Sequence, residues 1–281
     1  MSIRTIATDM QLVIQSATGL GLEDTIIPGN NAYGSYVQLL TGAEVTDDAY
    51  GIWINLSNNT VSAVARDSFA KVGVDPSGGT TFIDKIPDLG CSSAGTISAS
   101  NGGCGGMTYY FPLFIKAGSA IGIAASVNNA TVGTLKASVR LFCKPSGIPP
   151  RTGTFVRSFG AIAASSSGVP IVPNGSGSKS AFVQLGSALA ESLWYWSLGV
   201  CCNNSNMTNN TSVWDLYLGD GTNMRSVIVD MIVMPGSLET LAYTCLGQNM
   251  LAQIGEKVYS RAGSNSTSPT GMSAIAYGMG G

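Results

Sequence analysis

The sequence predicts an all-β protein made of two tandem antiparallel β-sandwich domains. Three observations support this class: short segments in which apolar and polar residues alternate, turn-forming residues between them, and motifs that recur about one domain length later. The chain has 281 residues with 36 glycines and 11 prolines. At roughly 150 residues per domain, this length fits two domains.

The strongest strand signal lies at residues 135–144. Leu135, Ala137, Val139, Leu141 and Cys143 would face one side, with mostly polar residues on the other. Side chains of a strand alternate between its two faces, so this pattern is typical of a half-buried antiparallel strand. Residues 121–127 alternate in the same way, and the Asn-Asn pair that follows favours a turn. We therefore expect residues 121–127 and 135–144 to form a β-hairpin.

Other short segments rich in β-branched and aromatic residues predict further strands, separated by Gly, Ser, Asn and Pro. In chain order they are residues 11–15, 36–40, 51–56, 61–66, 70–74, 81–86, 108–115, 181–185, 194–200, 213–218, 226–234, 257–261 and 272–277.

A repeat divides the chain. Tyr-Val-Gln-Leu at residues 36–39 returns as Phe-Val-Gln-Leu at residues 182–185, 146 positions later, and Gly118 matches Gly255 at 137 positions. The alternative explanation of these matches is that unrelated β-sandwiches use similar turn-forming sequences, but the matches occur in the same order in both halves. Three prolines at positions 145, 149 and 150 favour an extended connector. The prediction is a first domain at 1–146, a linker at 147–150 and a second domain at 151–281, arising from an internal duplication.

Composition excludes several functions. With 14 basic and 16 acidic residues, the chain has no positive surplus for nucleic acid. It has no apolar run long enough for a membrane helix, and we expect neither membrane insertion nor a secretory signal. The complete lack of histidine removes His-dependent nucleophiles, bases and metal sites. We predict no enzyme activity, no catalytic residues, no cofactor and no metal.

Six cysteines stand at 91, 104, 143, 201, 202 and 245, without zinc-site spacing. Cys91 and Cys104 flank a loop rich in Gly, Ser and Asn. A disulfide between them is one expectation, worth about 3 kcal/mol through the unfolded state, and two unpaired thiols are the alternative. Cys143 is expected to be a small buried apolar side chain.

Two groups of acidic residues carry rival chemical interpretations. Glu44, Asp47 and Asp48 would suit a polysaccharide depolymerase that uses paired carboxylates, but a solvated turn is the favoured interpretation. Asp75 and Asp220 each precede Gly-containing segments and would suit calcium, although turn chemistry is favoured here too.

Aromatic residues concentrate at Trp194, Tyr195 and Trp196. An exposed aromatic shelf would bind glycan rings, whereas aromatics that alternate along a strand more often pack into a core on one side and an interface on the other. These three residues are therefore candidate glycan or subunit contacts.

Residues 110–121 resemble a sequence motif of tailed-bacteriophage virion proteins, in which a Gly-Ser turn leads into the next strand. They read Tyr-Phe-Pro-Leu-Phe-Ile-Lys-Ala-Gly-Ser-Ala-Ile. Residues 34–39 and 73–79 are similar to the same family. The second half departs from it, with Cys-Leu-Gly-Gln at 245–248. The resemblance implies tandem jelly-roll-like sandwiches in a virion, as a tail, collar or head appendage protein or a capsid decoration.

We therefore expect a non-enzymatic structural protein of a bacteriophage particle, made in the host cytoplasm and assembled into the virion. Its partners would be copies of itself, as a trimer or ring, and other virion proteins. Low charge fits this role because interface cores are depleted in charged residues. The alternative is a carbohydrate-binding adhesin at a fibre or spike tip that contacts host glycans.

Overall fold

The computed structural model describes residues 10–15, 24–58, 66–93, 105–127, 135–145, 147–161, 168–175, 177–201, 211–233, 243–244, 247–265 and 272–281. Within them the chain forms twenty strands and no helix. They are β1 (Met10–Gln15), β2 (Asp24–Ile26), β3 (Gly29–Asn30), β4 (Val37–Leu40), β5 (Ala49–Asn58), β6 (Arg66–Asp75), β7 (Ile83–Ser93), β8 (Gly105–Phe111), β9 (Ala120–Val127), β10 (Leu135–Pro145), β11 (Phe155–Phe159), β12 (Val169–Ile171), β13 (Val183–Gln184), β14 (Leu193–Cys201), β15 (Ser212–Gly219), β16 (Met224–Val233), β17 (Tyr243–Thr244), β18 (Gln248–Ala252), β19 (Lys257–Ser264) and β20 (Met272–Gly280).

The first ten strands form a jelly roll. One sheet has the order β1-β10-β5-β8, with β2 also beside β10, and the other has the order β4-β9-β6-β7, with β3 also beside β9. The pairing is antiparallel except between the short strand β3 and β9. From β4 onward the chain changes sheet at every step except the β6–β7 hairpin, which is the pattern of a double-sheet jelly roll.

The remaining strands repeat this arrangement. One sheet has β20 between β11 and β14, with β12 beside β20 and both β17 and β18 beside β14. The other sheet has the order β13-β19-β15-β16. The all-β class and the two tandem sandwiches predicted from sequence are therefore confirmed.

The strand registers support duplication residue by residue. Val37 lies opposite Ile123 in the first jelly roll, and Val183 lies opposite Ser260 in the second. Val183 follows Val37 by 146 positions, and Ser260 follows Ile123 by 137 positions. A β-bulge interrupts β7 opposite β6 and β16 opposite β15 at the same place. Asp88 and Asp230 occupy these bulges with φ of 50° and 56°, a conformation uncommon outside glycine. The sequence match of residues 36–39 with 182–185 is thus in register.

The predicted hairpin between residues 121–127 and 135–144 is wrong. Strand β9 pairs with β6 and β4, whereas β10 pairs with β1, β2 and β5 in the opposite sheet. In a jelly roll, the chain crosses between sheets at this point, and alternation within each strand cannot reveal that crossing. The apolar face of β10 is buried as expected, Cys143 included.

The described residues form two clusters of buried apolar side chains. One lies inside the second jelly roll, around Trp196 and Trp214. The other fills the first jelly roll and continues through the junction into side chains of β11, β14 and β20. The two domains therefore share part of one core.

Candidate functional site: the junction of the jelly rolls and its open counterpart

The junction is centred on the bulge of β7, an edge strand of the first jelly roll. Strands β11 and β14 of the second jelly roll pack against it. The Asp88 carboxylate accepts hydrogen bonds from the hydroxyls of Tyr33, at 2.7 Å, and of Ser158, at 2.5 Å. The left-handed backbone turns Asp88 towards the second jelly roll, so the bulge directs a polar group to the interface.

Tyr277 of β20 is the central polar contact. Its hydroxyl donates to the Asp88 carbonyl at 2.9 Å and accepts from the Gly90 amide at 3.1 Å. Its ring stands edge-on to Tyr109 and Phe111, with centroids 5.5 Å and 6.1 Å away. The side chain is fully buried, so one tyrosine satisfies two backbone groups of an edge strand that water would otherwise solvate.

Apolar side chains surround this contact. Val156, Ile275 and Met279 belong to the second jelly roll by sequence, yet they pack into the cluster of the first. Each is exposed by 1% or less. The outer face of sheet β11-β20-β14 is thus a docking face, and it covers the edge of β7.

The aromatic segment predicted from sequence is buried rather than a shelf. Trp194, Tyr195 and Trp196 are exposed by 5%, 6% and 0%. Trp196 belongs to the core of the second jelly roll, whereas Trp194 and Tyr195 pack into the junction. The Tyr195 hydroxyl donates to the Tyr110 carbonyl at 3.1 Å. An exposed glycan-binding shelf is therefore wrong for these residues, which pack within the chain, into a core on one side and into the junction on the other; a contact of theirs with another subunit stays a prediction.

Within the described residues, the corresponding edge of the second jelly roll has no strand beside it. Strand β16 is the edge strand that corresponds to β7, and its bulge carries Asp230 in the place of Asp88. Val229 and Ile232 beside it are exposed by 51% and 62%. Exposed apolar side chains on an unpaired edge are typical of an interaction site.

The corresponding face of the first jelly roll is open around Val13 and Arg140, while Phe142 on the same face is 6% exposed. Val13 lies opposite Phe142, and Val156 lies opposite Met279. Phe142 and Met279 are 137 positions apart, the same offset that relates Ile123 to Ser260. Val13 therefore corresponds to Val156. Val13 is 47% exposed where Val156 is 1% exposed. By the same count, the exposed Arg140 holds the place of Tyr277.

One chain therefore contains one completed contact, and each jelly roll also exposes the surface that corresponds to one side of that contact in the other. The covered half-sites are the β7 edge and the outer face of β11-β20-β14. The open half-sites are the β16 edge, with Val229, Asp230 and Ile232, and the outer face of β1-β10-β5, with Val13 and Arg140. We call these the open edge and the open face.

The open edge is anchored by a charged network. The buried carboxylate of Asp215 pairs with Lys179 at 2.7 Å and with Arg261 at 2.9 Å, and it accepts the backbone amide of Asp230 at 3.0 Å. Burial alone would raise the pKa of Asp215, but these hydrogen bonds and charges lower it below its usual value. The network fixes the bulge that presents the exposed Asp230.

The acidic residues at 44, 47 and 48 are engaged in local hydrogen bonds and an ion pair. Glu44 accepts the amide and hydroxyl of Thr41, which lower its pKa, and Asp48 accepts the Ala117 amide at 2.8 Å. Asp47 pairs with Lys144 at 3.2 Å. A glycosidase acid needs a raised pKa, so this arrangement favours the turn interpretation.

Asp75 and Asp220 also hold turns. Asp75 accepts the amides of Ser77 and Thr81, each at 2.8 Å, and Asp220 accepts the amides of Thr222 and Asn223, each at 2.7 Å. Both carboxylates thus close the loops that follow them, as turn chemistry predicts.

Cys91 is buried in β7, and Cys104 lies outside the described residues, so their disulfide stays a prediction. Among the described residues, no cluster of His, Cys, Asp and Glu has the makings of a metal site. The described part also contains no helix of the length and apolarity that a membrane span requires.

Comparison with known proteins gives fold-level likenesses only. No family model and no curated protein matches the chain. The crystal structure of the STIV MCP is similar with a TM-score of 0.32 and 11% identity, over 90% of this chain and 96% of that one.

Two further likenesses are of the same order. The CBM22-1–CBM22-2 tandem domain of Paenibacillus barcinonensis Xyn10C gives a TM-score of 0.30 and 11% identity, over 96% of this chain and 97% of that one. The T13 IBDV viral particle gives 0.28 and 11%, over 96% and 68%. All of these TM-scores are below 0.5.

Proposed function

We propose that this chain is a structural component of a bacteriophage virion that acts by packing against other copies of itself. The observation that carries this proposal is the pair of open half-sites that corresponds to the completed junction. We further propose that residues 147–150 link the domains 1–146 and 151–281.

The open half-sites favour a head-to-tail contact. If the open face of one copy docks on the open edge of the next, Val13 meets an apolar edge as Val156 does within the chain. Arg140 then approaches Asp230, whose side chain is 63% exposed and already pairs with Lys179 at 2.5 Å. Asp230 would be shared between Lys179 and Arg140, and the added opposite charge favours this register.

A contact between two different surfaces adds copies in one direction, and it closes into a ring whenever the rotation between copies allows. Each jelly roll would then have a neighbour on both sides, alternately within and between chains. A trimer would place six jelly rolls in one ring. Such rings suit a shell, a collar or an appendage of a particle, and the choice among these positions is part of the proposal.

Light scattering of the purified chain over a range of concentrations tests assembly, and immunogold labelling of particles tests the virion role. We expect a discrete oligomer several times the chain mass of 28.8 kDa and gold at a regular position on particles. A chain that stays monomeric at every concentration and labels no particle would refute the proposal.

A further inference from the structure

The two jelly rolls match hydrogen bond by hydrogen bond beside their edges. The Gly34 amide donates to the Ala125 carbonyl at 2.9 Å, and the Ser180 amide donates to the Ala262 carbonyl at 2.8 Å. The two donors are 146 positions apart and the two acceptors are 137 positions apart, the offsets that also relate the paired strands. The residues that directly precede the two donors therefore occupy the same place in their jelly rolls.

At this shared place the first jelly roll has a tyrosine and the second has a lysine. The Tyr33 hydroxyl donates to the Asp88 carboxylate at 2.7 Å, whereas the Lys179 ammonium donates to the Asp230 carboxylate at 2.5 Å. The carboxylate on the bulge thus has a neutral partner at the completed junction and a charged partner at the open edge.

Further charges lie behind Asp230 at the open edge. Lys179 and Arg261 both pair with Asp215. Side-chain exposure rises from 0% at Asp215 through 19% at Lys179 and 27% at Arg261 to 63% at Asp230. The outermost charge of this network is therefore a carboxylate, and the cations lie beneath it.

The docking faces differ in the same sense. Ser158 and Tyr277 lie opposite each other across β11 and β20, and their hydroxyls donate to the carboxylate and the carbonyl of Asp88. The corresponding pair on the open face is Gln15 and Arg140, opposite each other across β1 and β10. Arg140 is exposed and forms no ion pair with another described residue. A guanidinium and an amide thus stand where the junction has two hydroxyls.

We propose that the contact between copies is ionic where the contact within the chain is neutral, so that salt loosens the first and leaves the second unchanged. Arg140 and Asp230 are the residues that give it this character. The inference rests on the proposed function, because Arg140 reaches Asp230 only if the open face of one copy docks on the open edge of the next. Asp230 then lies between Lys179 of its own chain and Arg140 of the next copy.

Salt screens the two contacts unequally. Raising NaCl from about 0.1 M to about 1 M shortens the Debye length from about 10 Å to about 3 Å, which weakens partly exposed ion pairs. The junction is held by the hydroxyls of Tyr33, Ser158 and Tyr277 and by apolar packing, which screening does not weaken. Lys71, which lies over the Tyr33 ring, pairs with Asp84 rather than with the junction carboxylate.

Two variants that each lose one half-site isolate a single contact between copies. Val13→Glu keeps the open edge and Ile232→Glu keeps the open face, so their mixture can form only one head-to-tail contact, and that contact carries no substitution. Titration calorimetry of one variant into the other measures its Kd. We expect the Kd to rise about tenfold, the factor that 1.4 kcal/mol represents, between about 0.1 M and about 1 M NaCl.

Removing either charge should abolish this dependence on salt. Arg140→Gln in the partner that keeps its open face, or Asp230→Asn in the partner that keeps its open edge, should weaken the complex about tenfold at low salt and leave a Kd that no longer changes with NaCl. Arg157→Gln is the matched control, because it removes an exposed arginine that lies outside the open edge and the open face. It should keep both the Kd and the salt dependence.

The outcomes distinguish this inference from the proposed function. Absence of a complex at both salt concentrations would overturn both. A complex whose Kd does not change with salt, or a salt dependence that survives Arg140→Gln, would overturn the ionic contact and leave head-to-tail docking intact. The loss of unfolding free energy caused by Tyr277→Phe should be the same at both salt concentrations, and a loss that changes with salt would show that the junction is ionic too and would overturn the inference.

Discussion

Replacing Tyr277 with phenylalanine removes one oxygen from the centre of the junction and leaves the ring in place. That oxygen satisfies the Asp88 carbonyl and the Gly90 amide, both on the edge strand β7. The ring contacts with Tyr109 and Phe111 need no hydroxyl. The variant therefore isolates the polar contact from the apolar packing around it.

The expected loss of unfolding free energy is about 2–6 kcal/mol. Each buried group left without a partner costs about 1–3 kcal/mol, and the Asp88 carbonyl and the Gly90 amide are both affected. Tyr277 is fully buried, so water cannot readily replace the lost oxygen. Because both jelly rolls contribute to this core, the loss should appear in the unfolding of the whole chain.

Tyr110→Phe is the matched control. Tyr110 is also a buried tyrosine near the junction, but its hydroxyl has no partner among the described residues. Removing it should leave the stability unchanged or raise it, because an unsatisfied polar atom disappears. Urea denaturation followed by circular dichroism measures both variants. If Tyr277→Phe loses no more than Tyr110→Phe, the junction does not depend on this hydroxyl.

Three further outcomes are expected. The lowered pKa of Asp215 stabilises the fold at a pH above the unfolded aspartate pKa of about 3.9, and this stabilisation is lost as the pH falls through the folded pKa. Asp215→Asn should therefore cost about 3 kcal/mol of unfolding free energy at pH 7 and flatten the acid side of a plot of stability against pH. An unchanged acid side would contradict this. Gly247→Ala would place a Cβ 1.9 Å from the Tyr195 ring and should lower the melting temperature by several degrees, an overpacking cost of about 1–3 kcal/mol, and wild-type melting would show that the ring moves freely. Peptide mapping without reductant should recover Cys91 linked to Cys104, and only separate peptides would show that this loop is not bridged.

The sequence predicted the class and the duplication because both depend on local information. Alternation within β10 and the match of residues 36–39 with 182–185 are visible without knowing which strands pair. The crossing from β9 to β10 is not visible, because the turn signal after Val127 fits a hairpin and a sheet-to-sheet crossing equally. Sheet assignment depends on long-range packing that alternation does not encode.

The site was only partly predictable. The aromatic segment drew attention to Trp194 and Tyr195, but the shared core that buries them needs both domains in place. The sequence alone does not identify Asp88 and Asp230, because an aspartate in a predicted strand is usually interpreted as a turn residue or a solvent-facing residue. Their only sequence signal is that they lie 142 positions apart in matching strands, a signal that becomes recognisable once the bulges are known.

Assembly of the chain as proposed requires that one copy's open face docks on the next copy's open edge. Two variants test it directly: Val13→Glu disables the face, and Ile232→Glu disables the edge. Both side chains are exposed, by 47% and 62%, so the substitutions should leave the fold intact.

Light scattering of the two variants, alone and mixed in equal amounts, is the decisive measurement. Each variant alone should be a monomer of about 28.8 kDa. The mixture should form a one-to-one complex of twice that mass, because the intact edge of the first variant meets the intact face of the second and growth stops there. Assembly of either variant alone, or a mixture that stays monomeric, would contradict the head-to-tail contact.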